Sequence, residues 1–233
     1  MLTILLISFF SLAWTTPVPF DPMMNEGLYD GDLAGVELDE NRNAIPRDSQ
    51  KWPGGVVPYI ISPELSFFTS EIKRAMQYIQ MYTCVRFVER TNQQDYVKLF
   101  KGNGCWSHWG RTGREQSLSL GDGCHWFGTT THELLHAVGF EHEHNRSDRD
   151  DYLNIHWENI EEKWYYAFKK LAPHENRILG PFDFGSIMMY GSNAFAKKQG
   201  QYSFTDKKGG YVNDKRDTMS WGDVNKIKKL YNC

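Results

Sequence analysis

The chain has 233 residues, of which 40% are hydrophobic and 15% are aromatic, and its formal net charge is −3. This length and composition predict one globular domain with a sizeable core, preceded by some processed sequence. The sequence has no basic stripe and no run of like charges, which excludes nucleic acid as a partner and argues against a charged interaction tail.

The first residues, MLTILLISFF, are apolar but too few to cross a bilayer. Small residues follow them, as in a signal peptide, which we predict over residues 1–16. Cleavage after Ala13 fits the small-x-small rule, with Thr15 and Thr16 as rivals. The alternative is a buried N-terminal strand. Since no later segment is apolar enough to form a membrane helix, we expect a secreted, extracellular protein.

Residues 17–42 are acidic, contain three prolines and lack an amphipathic period. This composition predicts a pro-segment or linker rather than a packed domain. Arg42-Asn43 is the candidate cleavage point, so that 43–233 would form the mature domain.

From Trp52 onward the pattern is that of a globular fold. In chain order it first predicts a strand over 55–61, in which Pro58 indicates an edge position, and then a helix that Thr69 caps and that runs to about Tyr82. Strands follow over 85–88 and 96–100, and a stapled loop or hairpin follows over 102–123, with a strand at 117–120. The remaining elements are a helix over about 129–138, a second helical segment over 157–171 and a terminal helix over 223–231.

The four cysteines are Cys84, Cys105, Cys124 and Cys233. Behind a signal peptide, an even number predicts two disulfides. The three conceivable pairings are all open on this ground.

The run HELLHAVGFEH, from His132 to His142, carries the chemistry. His132 and His136 are four residues apart, which on a helix places both imidazoles on one face. Glu133 lies beside the first histidine, and Gly139 can take a positive φ and end the helix sharply. His142 can then return as a third ligand, leaving a fourth position open, as in catalytic zinc sites. The alternative is three surface histidines on an ordinary helix.

The longer run HELLHAVGFEHEHNRSDRDDY matches every fixed position of HExxHxxGFxHExxRxDRDxY. It closely resembles the astacin family of metzincin proteases. The resemblance extends over about residues 29–233. It implies one catalytic zinc ion per chain, held by His132, His136 and His142, with Glu133 as the general base.

Downstream, the run SIMMY resembles the Met-turn of that family. The resemblance implies that Met188 lies under the metal and that Tyr190 stabilises the oxyanion during turnover. Met189 stands where the family usually has histidine, which puts the local hydrogen bonding in question.

Upstream, YDGD resembles the pro-segment signature F-x-G-D, with Tyr29 in place of phenylalanine. The resemblance implies that Asp32 is a latency switch occupying the open metal position. It also implies that an activating protease cuts after Arg42, and that the new α-amino group of Asn43 meets Glu143. Without the resemblance, Asp32 would be part of a D-G turn in a disordered leader and Glu143 a solvated carboxylate.

The family pattern further implies the disulfides Cys84–Cys233 and Cys105–Cys124. It places Cys105 to Trp109 near an edge strand to which an extended substrate adds. At 214–216 the chain reads DKR, where the family usually reads G-Q-R, so the substrate preference is open. Asn145-Arg146-Ser147 is a glycosylation sequon close to the zinc ligands.

We therefore expect an α+β, metzincin-like fold of two lobes. The N-terminal lobe should hold a twisted mixed sheet with two long helices, and the C-terminal lobe should be mostly irregular with one terminal helix. The expected function is a secreted zinc endopeptidase made as a zymogen, monomeric, acting on protein or peptide substrates. The alternatives are an inactive binding protein that keeps the fold, and a structural zinc module, for which a fourth protein ligand would be expected.

Overall fold

The computed structural model describes residues 21–35, 48–213 and 217–233. The predicted signal peptide, the Arg42-Asn43 bond and the 214–216 stretch lie outside the described residues.

The described chain contains eight strands and three α-helices. The strands are β1 (Leu33–Ala34), β2 (Val56–Ile61), β3 (Arg86–Glu89), β4 (Tyr96–Phe100), β5 (Cys105–His108), β6 (Glu115–Leu120), β7 (Leu153–Ile155) and β8 (Phe204–Asp206). The helices are α1 (Thr69–Tyr82), α2 (Phe127–Val138) and α3 (Trp221–Tyr231).

Six strands form one mixed sheet in the order β1-β5-β6-β4-β2-β3. Only β5 and β6 pair antiparallel in it, so the predicted stapled segment is a hairpin. The expectation of an edge strand at Pro58 is wrong, because β2 lies between β4 and β3. Pairing with β4 begins only at Tyr59, so at Pro58 strand β2 is paired with β3 alone. The missing N–H of Pro58 therefore interrupts no hydrogen bond to β4.

The main core lies between this sheet and α1 and α2, which pack on each other. The buried residues of α1 follow the helical period, so they share one face: Ile72, Ala75, Met76 and Ile79. Burying each of the larger side chains contributes about 1.5–3 kcal/mol. A second apolar cluster, which includes Phe168, Tyr190 and Phe204, fills the C-terminal half. The second cluster lies in the expected C-terminal lobe, but Val224 and Ile227 of the terminal helix pack in the main core.

Two local predictions need correction. Thr69 is the first residue of α1 rather than its cap; Phe68 takes that position, and the Thr69 hydroxyl donates to the carbonyl of Leu65 at 3.2 Å. Residues 157–171 do not form an α-helix but two 3₁₀ segments, Trp157–Asn159 and Glu162–Phe168. Between them Ile160 is extended and pairs with Ala196, so a contact distant in sequence overrides the local helical pattern.

The structure pairs Cys84 with Cys233 and Cys105 with Cys124, which is the pairing that the resemblance implies. The first disulfide joins the chain after α1 to the segment that follows α3. In the part of the chain described here, no helix is long and apolar enough to cross a bilayer.

Candidate metal centre

The zinc-binding pattern folds as its spacing predicts. His132 and His136 lie one turn apart on α2, which is almost entirely buried. The helix ends at Gly139, whose φ of 119° lets its N–H bond back to the carbonyls of Leu135 and His136. A side chain would be strained in this conformation. The reversal brings His142 beside the two helical histidines.

Each histidine is oriented by a hydrogen bond from Nδ1. The Nδ1–H of His132 donates to the carbonyl of Ile187 at 2.8 Å, and that of His136 donates to Phe140 at 2.7 Å. A carbonyl can only accept, so both Nε2 atoms carry lone pairs. Burial also lowers the pKa of His136 to about 4, which keeps the ring neutral.

The Nε2 atoms converge at a spacing that a tetrahedral zinc ion requires. Bonds of about 2.0–2.1 Å place tetrahedral ligands about 3.3 Å apart. The Nε2 atoms of His132 and His142 are 3.2 Å apart. Two imidazole nitrogens come this close only when a cation, either a proton or a metal ion, lies between them. The residues present therefore fit zinc.

Asp32 supplies the fourth corner of this arrangement. Its carboxylate oxygens lie 3.3 Å from Nε2 of His132, 3.5 Å from that of His136 and 3.3 Å from that of His142. Asp32 is fully buried. Although burial opposes ionisation, the charge of His142 outweighs it and holds the pKa of Asp32 well below its ordinary value.

The segment around Asp32 is packed, which corrects the expectation of an unpacked leader for this part of residues 17–42. Strand β1 pairs parallel to β5, with Leu33 opposite Ser107. Leu33 is fully buried in a cluster with Tyr29, Trp109 and Leu171. β1 thus covers the sheet edge at which the resemblance implies substrate pairing. The composition could not show this, because the partners of the segment are distant in sequence.

Glu133 and Tyr190 both lie near the Asp32 carboxylate. Both Glu133 oxygens are buried without a hydrogen-bond partner among the described residues. Burial, followed by the charge of Asp32, raises the pKa of Glu133 well above its ordinary value. The Tyr190 hydroxyl lies 2.9 Å from Asp32 Oδ2 and 2.8 Å from the carbonyl of Asp30.

The SIMMY run lies next to the histidines, since the Ile187 carbonyl accepts a hydrogen bond from His132. Met188 is buried in the main core, and its carbonyl accepts the N–H of Glu143 at 2.9 Å. Met189 is buried in the second apolar cluster together with Tyr190. An apolar side chain is therefore accommodated by packing at the position where the family usually has histidine.

Glu143 is buried and already paired with cations. Its oxygens lie 2.7 Å from Lys226 Nζ and 2.9 Å from an Arg146 nitrogen, and it accepts the N–H of Asp183 at 2.8 Å. Burial nevertheless raises the pKa of Glu143. A cavity of about 60 Å³ borders Glu143 and Lys226. Its predicted partner Asn43 lies outside the described residues.

The sequence reasoning missed a second layer of polar residues around His142. Asp30 accepts the Nδ1–H of His142, and its Oδ2 accepts from Asn145 Nδ2 at 2.6 Å. His144 Nε2 lies 3.4 Å from Asp30 Oδ1. The direct hydrogen bond from Nδ1 leaves no room for a second ion between Asp30 and His142. The position of Asp30 two residues before Asp32 was the available signal.

Asn145, the candidate glycosylation residue, is fully buried. Its amide is engaged by Asp30, so a glycan does not fit on Asn145 in this state of the molecule.

The comparisons with known proteins agree with this geometry. The family model of the Astacin peptidase family matches residues 44–232. Astacin-like metalloprotease toxin 1 of Loxosceles intermedia is 41% identical over 214 residues, which are 88% of this chain and 81% of that protein. High choriolytic enzyme 1 of Oryzias latipes is 41% identical over 217 residues, covering 88% of this chain and 78% of that protein.

The solved structure of high choriolytic enzyme 1, a hatching enzyme zinc-protease, matches with a TM-score of 0.74 over 78% of this chain and 93% of that chain. The chain therefore belongs to the astacin family and is a zinc metalloendopeptidase that takes one zinc ion at the histidine cluster.

Proposed function

We propose that the chain is a secreted zymogen, with a signal peptide over 1–16, a pro-segment over 17–42 and a peptidase domain over 43–233. The observation that carries this proposal is the position of Asp32, whose carboxylate lies 3.3–3.5 Å from the Nε2 atoms of all three ligand histidines. A carboxylate at this point occupies the coordination position that catalysis needs. The two disulfides, Cys84–Cys233 and Cys105–Cys124, support an oxidising, extracellular location.

In the processed enzyme, His132, His136 and His142 would hold the zinc ion. Bound zinc supplies a Lewis acid that acidifies the attacking water and polarises the scissile carbonyl. Glu133 takes the proton of that water and hands it to the leaving amine. The buried position of Glu133 next to His132 on α2 supports this role.

Tyr190 donates to the developing oxyanion once Asp32 has left. The support is its hydroxyl at 2.9 Å from Asp32 Oδ2, which shows a hydrogen-bond donor aimed at the oxygen that faces His132 and His142. Met188 supports the floor of the site from the main core.

Activation cuts after Arg42 and releases the segment that holds Asp32 and β1. The new amino group of Asn43 then enters the cavity beside Glu143. Burial of Glu143 and the cavity of about 60 Å³ next to it support this destination. Because Lys226 and Arg146 already pair with Glu143, the new amine joins an existing cluster of charges rather than neutralising a lone carboxylate.

The test compares intact precursor with precursor processed by limited trypsin digestion, using a peptide library with and without a chelator. We expect chelator-sensitive hydrolysis only after processing, with Asn43 as the new N-terminus by sequencing. Asp32→Ala should give chelator-sensitive hydrolysis before any cleavage. A processed chain that cleaves no peptide would overturn the endopeptidase mechanism, whereas a silent Asp32→Ala precursor would overturn only the latency role of Asp32.

A further inference from the structure

The three ligand histidines differ in what accepts their Nδ1–H groups. For His132 and His136 the acceptors are main-chain carbonyls of the peptidase domain, as described above. For His142 the acceptor is the carboxylate of Asp30, upstream of Arg42. Processing after Arg42 therefore removes the orienting partner of one zinc ligand and leaves the other two intact.

Asp30 occupies a site built for a carboxylate. It is fully buried, with Asn145 at 2.6 Å and His144 at 3.4 Å on its two oxygens. The backbone turns sharply here, with φ of 55° at Asp30 and 87° at Gly31. This turn directs both carboxylates of the segment towards His142, Asp32 to Nε2 and Asp30 to Nδ1.

A second carboxylate lies next to the same Nδ1 atom, and it belongs to the peptidase domain. Glu141 Oε1 is 3.7 Å from His142 Nδ1, and the Glu141 side chain is only 8% exposed. Within the described part of the chain, neither Glu141 oxygen makes a hydrogen bond of good geometry, and the Asp30 carboxylate lies close by. An unpartnered buried carboxylate is costly, so its retention next to a metal ligand needs an explanation.

We propose that Glu141 replaces Asp30 as the acceptor for His142 Nδ1 when the pro-segment leaves, and so is the positioning residue for the third zinc ligand in the processed enzyme. The oxygen needs to move by about 0.5–1 Å, to the usual distance of about 2.7–3.2 Å. A carboxylate acceptor fixes the tautomer and the ring orientation of a ligand histidine and raises its basicity. This inference rests on the proposed zymogen conversion.

The test measures the zinc dissociation constant by competition with a chelator of known affinity. The variants are Glu141→Gln, Asp30→Gly and the double variant, each in the intact precursor, and Glu141→Gln also after trypsin processing and gel filtration. Glycine at position 30 removes the carboxylate and tolerates the positive φ. Glu161→Gln, on an exposed glutamate, is the control for loss of a carboxylate. Circular dichroism checks the fold.

In the precursor we expect the zinc dissociation constant of each single variant to stay within about threefold of wild type, because the other carboxylate still accepts the hydrogen bond from His142. The double variant should bind zinc about 10- to 100-fold more weakly. After processing, Glu141→Gln alone should weaken zinc binding by the same factor. Unchanged affinity in processed Glu141→Gln, or equal weakening in precursor and processed forms, would overturn the inference. An active, zinc-dependent wild-type enzyme in that experiment shows that the proposed function stands while the role of Glu141 fails.

Discussion

Latency of the intact precursor should depend on one apolar side chain as well as on Asp32. Leu33 follows Asp32 directly and is fully buried with Tyr29, Trp109 and Leu171. Undocking of the segment exposes Leu33 to water. Leu33→Ala should therefore shift the equilibrium between docked and undocked pro-segment by the usual cost of this truncation in a core, about 2–5 kcal/mol.

At about 1.4 kcal/mol per factor of ten, this cost raises the undocked fraction about 30- to 4,000-fold. The assay is the rate of peptide hydrolysis by the uncleaved precursor, with mass spectrometry at the end to show that the chain is intact. We expect a chelator-sensitive rate well above that of the wild-type precursor. The processed forms should have equal rates, since processing removes residue 33.

Leu28→Ala is the matched control, because Leu28 belongs to the same segment but is only partly buried. It should raise the precursor rate far less. If the Leu33→Ala precursor were no more active than wild type, apolar docking would make no contribution to latency. Equal activation by both variants would show that the burial of Leu33 is not what matters.

Three further predictions concern the metal centre and its supports. Glu133→Gln should bind zinc as wild type does and lose nearly all turnover, measured by metal content and steady-state kinetics of the processed enzyme; normal turnover would refute its role as base. Replacing Cys84 and Cys233 with serine removes a disulfide that closes a loop with a sequence separation of 149. By the chain-entropy estimate this should lower the free energy of unfolding by about 5 kcal/mol, measured by denaturant titration. An unchanged midpoint would contradict this. Lys226→Met leaves Glu143 with Arg146 as its remaining cation and should lower the free energy of unfolding by about 3 kcal/mol. Methionine at an exposed lysine of the same helix is the control. An equally small loss of stability in both variants would refute the pairing of Lys226 with Glu143 as the cause.

The metal ligands could be predicted from the sequence because their geometry is local. The four-residue spacing of His132 and His136 and the helix-ending Gly139 fix the histidine cluster within one helix and one turn. The terminal helix is similarly local, because its apolar period and the Ser220–Asp223 capping box lie within α3 and the residue before it. Where the local preference of the chain agrees with its tertiary contacts, the sequence pattern alone predicts the structure.

Other features depend on contacts between distant residues, and there the pattern was insufficient or wrong. The local pattern of 157–171 predicts a helix, but Ile160 pairs with Ala196 and divides the segment. The composition of the acidic leader predicts an unpacked segment, yet its residues 29–34 are buried because β5 and the histidine cluster supply their partners.

The sequence thus determined which side chains can hold zinc, since helical periodicity is a property of neighbouring residues. The family resemblance pointed to Asp32, but only the tertiary structure showed that Asp30 and Glu141 also face His142. Asp30 and Asp32 reach His142 across more than a hundred residues of chain. Glu141 acquires its position from the turn after Gly139. Such contacts are set by how the lobes and the pro-segment pack together, which no local pattern encodes.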